Sequence, residues 1–460
     1  MPGIETPVRG DTDLLAMADW VNDRPDDGVF QVDRRVFTDA RVYEAEVRHI
    51  FEATWVYVGL ESEIARPNDF VTTYIGRHPV LLMRDGAGAI GCYLNSCRHK
   101  GTIVCPFKRG RQKYHVCRYH GWAYDSGGRN ISITDQAAGQ YPPGFAQADH
   151  GLVPVARLDT YRGFIFASLS PDVLPLREHL GGAAAFLDLV VDQSDVGVVE
   201  LVPGDVAYTF DANWKLQFEN GLDYYHFGST HSSYVDILKR RPPTAWSRQG
   251  LLEEDAAEPE GQGSFSFDHG HAVNWSIKRT PLYGRPIAVE PDHWDAVRAR
   301  VGERRAAWML RQRNLTIFPN LQVIDILSAQ LRTWRPLAAD KTEMVSHCLA
   351  PVGESPAART MRIRNYEDFF NPSGLASSDD NVMYEFGQAG YEAARVGPTQ
   401  GYLRGLGSTH EGASPHAVEL GVTPAAWAFG ATAFGDESNF HPGYREWRRL
   451  LERAASRPAS

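Results

Sequence analysis

Cys97-Arg98-His99, seventeen residues, and then Cys117-Arg118-Tyr119-His120 constrain the fold of this 460-residue chain more than any other feature. Each short segment offers one thiolate and one imidazole, so the fold must bring two loops to a common point and hold them there. Ligands paired as C-x-H and C-x-x-H suit a Rieske-type [2Fe–2S] centre, in which His replaces Cys on one of the two irons. Neutral imidazoles lower the negative charge around such a cluster and raise its potential, which fits a one-electron relay. Zinc competes, because two Cys and two His are also a common structural zinc set. Zinc-finger spacing, however, pairs Cys with Cys and His with His, whereas this chain mixes them. Gly101, Gly121 and Trp122 accompany the four candidate ligands.

The length allows two or three domains with a substantial core. A formal charge of -10 and a pI near 5.9 argue against a nucleic-acid partner, and there is no basic block of binding size. The longest apolar candidate, residues 181–191, contains Asp188 and falls short of the roughly 20 residues that span a membrane. Residues 1–16 show no basic region followed by an apolar one, so no secretory signal is expected. With five cysteines, an odd number, the thiols are expected to be reduced and the chain cytoplasmic. Cys92 and Cys348 lie in β-like apolar runs and read as buried thiols; Cys105 reads as packing near the cluster loops.

Apolar positions at helical spacing predict a helix over 39–55. Short β-like runs follow at 70–75, 79–83, 90–94 and 163–169, separated by Gly- and Asp-rich punctuation. Helices are expected at 176–192, 214–227 and 294–313, strands at 322–327, 330–334 and 344–349, long surface loops over 387–424, and a charged terminal helix at 444–455. No G-x-G-x-x-G dinucleotide fingerprint follows a strand, so no dinucleotide-binding site is expected in this chain.

The second candidate centre follows Asn213-Trp214-Lys215-Leu216-Gln217-Phe218-Glu219-Asn220. Asp223, His226 and His231 lie just beyond it. Two imidazoles five residues apart cannot share one face of a regular helix, since five steps of roughly 100° leave them apart. They converge only where the helix ends, which Gly228-Ser229-Thr230 allows. Two His and one carboxylate on one face of a ferrous ion leave positions open for O2. The remaining histidines read differently: His115 and His347 as structural, His269 and His271 as possible pocket residues, His410 and His416 as exposed.

Together, both constellations resemble the large (α) subunit of Rieske non-haem iron aromatic-ring hydroxylating dioxygenases, over nearly the whole chain. Val36-Phe37-Thr38-Asp39, His49-Ile50-Phe51-Glu52, Val190 to Ser194 and Tyr366 to Asn371 look like the benzoate, toluate and anthranilate 1,2-dioxygenase branch. Lys100, Leu222 and Tyr224 depart from that branch's pattern. The resemblance implies an α+β architecture: an all-β Rieske domain, plus a larger catalytic domain with an antiparallel sheet covered by helices (helix-grip, START-like). The expected boundaries are 1–56 for an N-terminal helical segment on the catalytic domain, 57–168 for the Rieske domain and 169–460 for the catalytic domain. It also implies ligands: Cys97 and Cys117 on one cluster iron, His99 and His120 on the other, and His226 and His231 on a mononuclear Fe(II). The third ligand to that iron matches Asp380 in the pair Asp379-Asp380, with Asp379 as an outer partner. Asp223 matches the family's acidic bridge from a mononuclear-site His to a cluster His of a neighbouring subunit. Three residues before His226, it would lie about 60° from it around a helix. The expected partners are a small β subunit in an α3β3 hexamer, a flavin and iron–sulfur reductase carrying electrons from NADH, an aromatic acid and O2. The expected reaction is cis-dihydroxylation of a benzoate-like acid. Alternatives are a Rieske monooxygenase or demethylase, and an electron-transfer Rieske protein without oxygenase activity.

Overall fold

A single strand explains how the cluster domain is built. Residues 78–84 carry the run Val80-Leu81-Leu82-Met83, all four buried. Unbroken apolar runs are what a strand covered on both faces requires, since successive side chains point to opposite sides. Leu81 and Met83 join a core with Phe70, Trp122 and Tyr124, whereas Val80 and Leu82 join a second with Val56, Val58 and Ile165. The computed structural model describes residues 11–204, 206–241 and 261–456; the expectation for residues 1–16 lies largely outside them.

Two compact units result: residues 51–176, and residues 1–50 together with 177–460. The first is built from three small antiparallel sheets. One takes strands Ile90–Leu94, His78–Arg84, Asp69–Ile75 and Arg109–Arg111 in that order; the others take Asn130–Ser132, Ala123–Asp125 and Tyr114–Val116, and Arg157–Tyr161, Phe164–Ser168 and Val56–Leu60. The expected β runs are thus present.

The second unit is organised by a ten-stranded antiparallel sheet. Its strands are β1 (Val199–Leu201), β2 (Val206–Phe210), β3 (Gly261–Ser266), β4 (Ala272–Ile277), β5 (Gln312–Ile317), β6 (Leu321–Asp325), β7 (Ala329–Ala338), β8 (Lys341–Pro351), β9 (His410–Glu411) and β10 (Ala426–Phe429). From β3 to β8 each strand pairs with the next, a meander. Both β1 and β2 pair with β8, and β10 links β3 to β9.

Helices α1 (Trp214–Asn220), α2 (Phe227–Thr230), α3 (Ser232–Arg240), α4 (Ser377–Tyr391) and α5 (His441–Ala455) belong to the same unit. Asp39 caps the helix Ala40–Glu46 by accepting the Arg41 N–H at 2.8 Å, and a π-turn over Val47–Phe51 continues it.

That helix ends on a fully buried carboxylate. Glu46 takes the Lys215 ammonium at 2.5 Å, the Trp214 indole N–H at 2.8 Å and the Trp447 indole N–H at 2.6 Å. A buried ion pair survives when further hydrogen bonds satisfy its remaining lone pairs, as the two indoles do here. Glu46 therefore ties the N-terminal segment and α5 to the base of α1, the helix that leads into the second candidate centre.

Three expected helices differ from the structure. The one over 176–192 is interrupted by a 3-10 turn at Gly181–Ala183. The one over 294–313 is two helices, Pro291–Val301 and Glu303–Leu310, broken at Gly302, and residues 312–313 already belong to β5. The third, over 214–227, is treated below. The segment 387–424 is largely loop, although α4 runs into it as far as Tyr391.

Candidate metal centres

The first loop follows strand Ile90–Leu94, and the second is the hairpin tip between Tyr114–Val116 and Ala123–Asp125. The loops share one backbone pattern. The Gly101 N–H bonds the Cys97 carbonyl, and the Cys97 N–H bonds the Thr102 carbonyl; Gly121, Cys117 and Trp122 repeat it. Gly101 and Gly121 both sit at φ +75°, the left-handed region that a β-carbon disfavours.

Cys97 and Cys117 are buried over the core that contains Tyr124 and Trp122, whereas His99 is half-buried and His120 exposed. The two imidazoles stand 4.5 Å apart, and Trp122 stacks on His99 at 5.0 Å. His99 Nδ1 is buried without a hydrogen-bond partner, as a nitrogen kept for a metal would be. A single tetrahedral zinc would draw such donors to about 3.3–3.8 Å from one another. Among the described residues only His226, His231 and Asp380 form a trio of ligand atoms within 4.8 Å. The Cys/His set is therefore spread more widely than one zinc requires, and it fits a two-iron cluster.

At the second centre, helix α1 stops at Asn220 rather than running to 227. Gln322 reaches over from β6 and donates Nε2 to the carbonyls of Phe218 (3.0 Å) and Gln217 (3.3 Å). A β-carbon at Gly221 would lie 1.9 Å from that same nitrogen, so any larger residue would displace the Gln322 amide from these carbonyls. The chain then turns, and Asp223 starts the next element: its Oδ1 accepts the N–H groups of Tyr225 (2.7 Å) and His226 (3.2 Å). Asp223 is thus a capping residue on a turn, not a residue one helical step from His226. His226 and His231 lie at the two ends of the four-residue α2.

Their Nε2 atoms stand 3.2 Å apart, and Asp380 Oδ1, projecting from the first turn of α4, lies 3.3 Å and 3.2 Å from them. Three donors about 2.1 Å from one ion at right angles would be about 3.0 Å apart, so the triangle fits a facial set. Burial alone would depress the His226 pKa, but the Asp223 and Asp380 carboxylates outweigh it and hold the imidazole up to about 10. Burial would likewise raise the Asp380 carboxyl, yet the two imidazoles keep it well below the usual carboxylate range. The pocket is thus poised for positive charge.

Neighbours orient the three candidate ligands. Asp223 Oδ2 lies 3.2 Å from His226 Nδ1. Asp379 Oδ2 lies 3.7 Å from His231 Nδ1 and accepts the Ser233 hydroxyl at 3.3 Å. Asn220 donates Nδ2 to Asp380 Oδ1 at 3.1 Å, with its Oδ1 accepting Arg332 Nη1 at 3.3 Å. A cavity of about 830 Å³, counting its mouth, opens beside the triangle, walled by Phe227, Tyr234, Leu238, Ile324, Leu327 and Phe369. Gln312, Asn314, Ile324 and Arg332 reach it from alternate positions of β5, β6 and β7 that share one sheet face.

The expected sites therefore fall into two groups of side chains, with Asp380 inside the triangle and Asp379 behind His231. His115 is buried against the Phe70 ring with its pKa pushed down to about 4 by burial. His271 does not line the cavity: its Nε2 meets the His179 carbonyl and its Nδ1 accepts the Phe318 N–H. His416 is half-buried against Trp275 and Phe429, not exposed as expected, whereas His410 is exposed. Burial pushes the Cys92 thiol up to about 12 and the Cys348 thiol up to about 11.

Three neighbours escape sequence reasoning. Tyr124, whose hydroxyl lies 3.2 Å from Cys97 Sγ and accepts the Arg98 N–H, is seven residues past Cys117. Asn220 is visible only as the polar end of an apolar helix. Arg332 shows as a single cation inside the strand run Gln330-Leu331-Arg332-Thr333-Trp334.

Comparison with known proteins agrees with this geometry. Residues 54–155 match the Rieske [2Fe-2S] domain, and residues 200–418 match the ring hydroxylating alpha subunit (catalytic domain). The chain is 37% identical to the 2-halobenzoate 1,2-dioxygenase large subunit of Burkholderia cepacia, over 94% of this chain and 92% of that one. It is 38% identical to the anthranilate 1,2-dioxygenase large subunit of Acinetobacter baylyi, over 95% and 94%. The solved naphthalene 1,2-dioxygenase from Rhodococcus sp. superimposes with a TM-score of 0.81 at 26% identity, over 97% of this chain and 99% of that one. Two candidate ligand sets in one chain, each within its matching domain, and relatives matched nearly end to end make this chain a member of the Rieske non-haem iron ring-hydroxylating dioxygenase large (α) subunit family.

Proposed function

We propose that this chain is the terminal oxygenase subunit that cis-dihydroxylates an aromatic carboxylate of the benzoate type: arene, O2, NADH and a proton give the cis-dihydrodiol and NAD+. The observation that carries the reading is the His226–His231–Asp380 triangle at the wall of an aromatic-lined cavity, in a chain that also holds the Cys/His loops. The named relatives act on a halobenzoate and on anthranilate, both benzoic acids.

In this reading Cys97 and Cys117 hold one cluster iron, His99 and His120 the other, and His226, His231 and Asp380 the mononuclear Fe(II). When bound, the cluster supplies single electrons and the ferrous ion supplies open coordination positions for O2. The chain's own residues do the rest. The Asp223 carboxylate stands 3.2 Å from His226 Nδ1, and its charge favours the tautomer that carries the proton there and leaves Nε2 facing the metal; Asp379 stands 3.7 Å from His231 Nδ1 and adds negative charge on that side. Asn220 holds the Asp380 carboxylate. Phe227, Phe369, Leu238 and Ile324 hold the ring by apolar contact and exclude water.

NADH electrons arrive through a separate flavin and iron–sulfur reductase, and the working assembly is an α3β3 hexamer in the cytoplasm. There Asp223 links His226 to His120 of the partner subunit. In support, His120 is exposed within its own unit, and Tyr225 beside Asp223 is 60% exposed.

Holoenzyme supplied with reductase, NADH and 18O2 is expected to consume NADH and O2 in step with a benzoic acid and to release a cis-diol bearing two labelled oxygens. A product bearing one labelled oxygen would replace this reading with monooxygenation, and O2 uptake that ignores every aromatic acid would end it.

A further inference from the structure

We propose that Arg332 is the residue that reads the substrate's carboxylate. The inference rests on the aromatic-acid reading above and specifies where in the cavity that acid is held.

Five arginines are buried among the described residues: Arg285, Arg311, Arg313, Arg332 and Arg362. Four have carboxylate partners. Arg285 and Arg313 share Asp325, Arg311 pairs with Glu419, and Arg362 with Glu354. Arg332 is the exception: no carboxylate among the described residues lies within ion-pair distance of it. It is 4% exposed, it stands on the cavity wall, and its Nε is buried without a hydrogen-bond partner. Its one side-chain hydrogen bond among the described residues runs from Nη1 to Asn220 Oδ1. A guanidinium carries five donors in a planar fork that matches a carboxylate's two oxygens. A buried guanidinium without its anion is costly, and an anion arriving through the cavity removes that cost.

The position also fits the chemistry. In a benzoate 1,2-dioxygenation the carbon bearing the carboxylate is itself one of the two carbons oxygenated. The anchor must therefore lie beside the ligand triangle, not across the cavity from it. Arg332 meets this condition: Asn220 accepts from it at 3.3 Å and itself reaches both Asp380 (3.1 Å) and His226 (3.4 Å). A carboxylate gripped by the guanidinium donors that Asn220 leaves free sets C1 and C2 next to the triangle while the ring rests against Ile324 and Phe369. A neutral arene of the same shape leaves the guanidinium unpaired and is discriminated against.

The test compares benzoate with its neutral isostere benzamide, as ligands of the reconstituted holoenzyme in equilibrium dialysis, with mononuclear iron content and the Rieske absorption recorded for each variant. Arg332→Gln is expected to weaken benzoate binding roughly 30- to 1,000-fold while benzamide stays within about threefold. Arg332→Lys, which keeps the charge but loses the fork, is expected to cost benzoate about tenfold and serves if the Gln variant does not fold. Benzoate binding that survives both substitutions overturns the anchor alone. Equal losses for benzoate and benzamide, with iron lost in parallel, also overturn it and leave Arg332 a positioning residue for Asn220. A wild-type protein that binds no benzoic acid overturns the anchor and the aromatic-acid reading together.

Discussion

Asn220→Ala isolates what holds Asp380 in place. The substitution removes the 3.1 Å bond to Asp380 Oδ1 and the acceptor for Arg332, but touches none of the three ligand side chains. A hydrogen bond to a charged group contributes about 1.5–3 kcal/mol, and partial exposure of Asn220 places this one toward the lower end. About 1.5–2 kcal/mol corresponds to roughly 10- to 30-fold in affinity, inside the 10- to 100-fold range usual for residues that support metal ligands. The assay equilibrates wild type and variant with a graded series of Fe(II) chelator concentrations and measures retained iron. The Rieske electron-spin signal serves as internal reference, because the cluster loops lie in the other structural unit. Mononuclear iron should leave the variant at roughly tenfold lower chelator concentration with the Rieske signal unchanged. Identical chelator curves, or loss of the mononuclear iron and the Rieske signal in parallel, would refute the reasoning.

Three further outcomes are expected. Asp380→Ala should abolish mononuclear iron and turnover, while Asp379→Ala lowers iron affinity by about tenfold or less; the reverse order in metal analysis would exchange their roles. Tyr124→Phe removes a hydroxyl 3.2 Å from Cys97 Sγ. It should lower the cluster's midpoint potential by about 40–60 mV, since about 1–1.4 kcal/mol of stabilisation of the reduced form is lost at 59 mV per tenfold; redox titration followed by electron-spin resonance reads it. Asp223→Asn keeps an oxygen to cap the turn but loses the charge beside His226, so the cluster should reduce normally and reoxidise far more slowly with substrate and O2. Wild-type reoxidation in rapid-mixing absorbance would remove Asp223 from the electron path.

How much of this was legible in the sequence depended on whether a residue's role is fixed locally. The Cys97/His99 and Cys117/His120 pairs were, because a turn closed by Gly101 or Gly121 sets ligand and neighbour within six residues. The strand 78–84 announced itself by an apolar run with no alternation. The end of α1 did not, because what terminates it is Gln322, about a hundred residues away, capping carbonyls that the local apolar pattern would carry onward into a longer helix. Asp223 was identified from the family pattern, yet its local geometry was misread for that same reason. Asn220 and Arg332 owe their roles to the register of β7 against β6 and to the approach of α4, neither of which leaves a periodic trace. His416 looked solvent-bound in a Gly/Ser-rich stretch, and only the distant Trp275 and Phe429 rings cover it.

The Glu46 carboxylate gives the protein an order of assembly. Residues 51–176 are contiguous, so everything the cluster loops need has left the ribosome well before α5 is made, and domains commonly fold as units during synthesis. The mononuclear centre has no such independence. The base of α1 is satisfied only when Trp447 of α5 delivers its indole to the same carboxylate that Lys215 and Trp214 already occupy. Until then Glu46 and Lys215 lack part of their shell, and the segment that presents His226 and His231 hangs from an unfinished support. A nascent chain can thus close its cluster pocket long before it can grip ferrous iron. A chain stopped before Trp447 should yield a brown, redox-active protein without a working oxygenase centre.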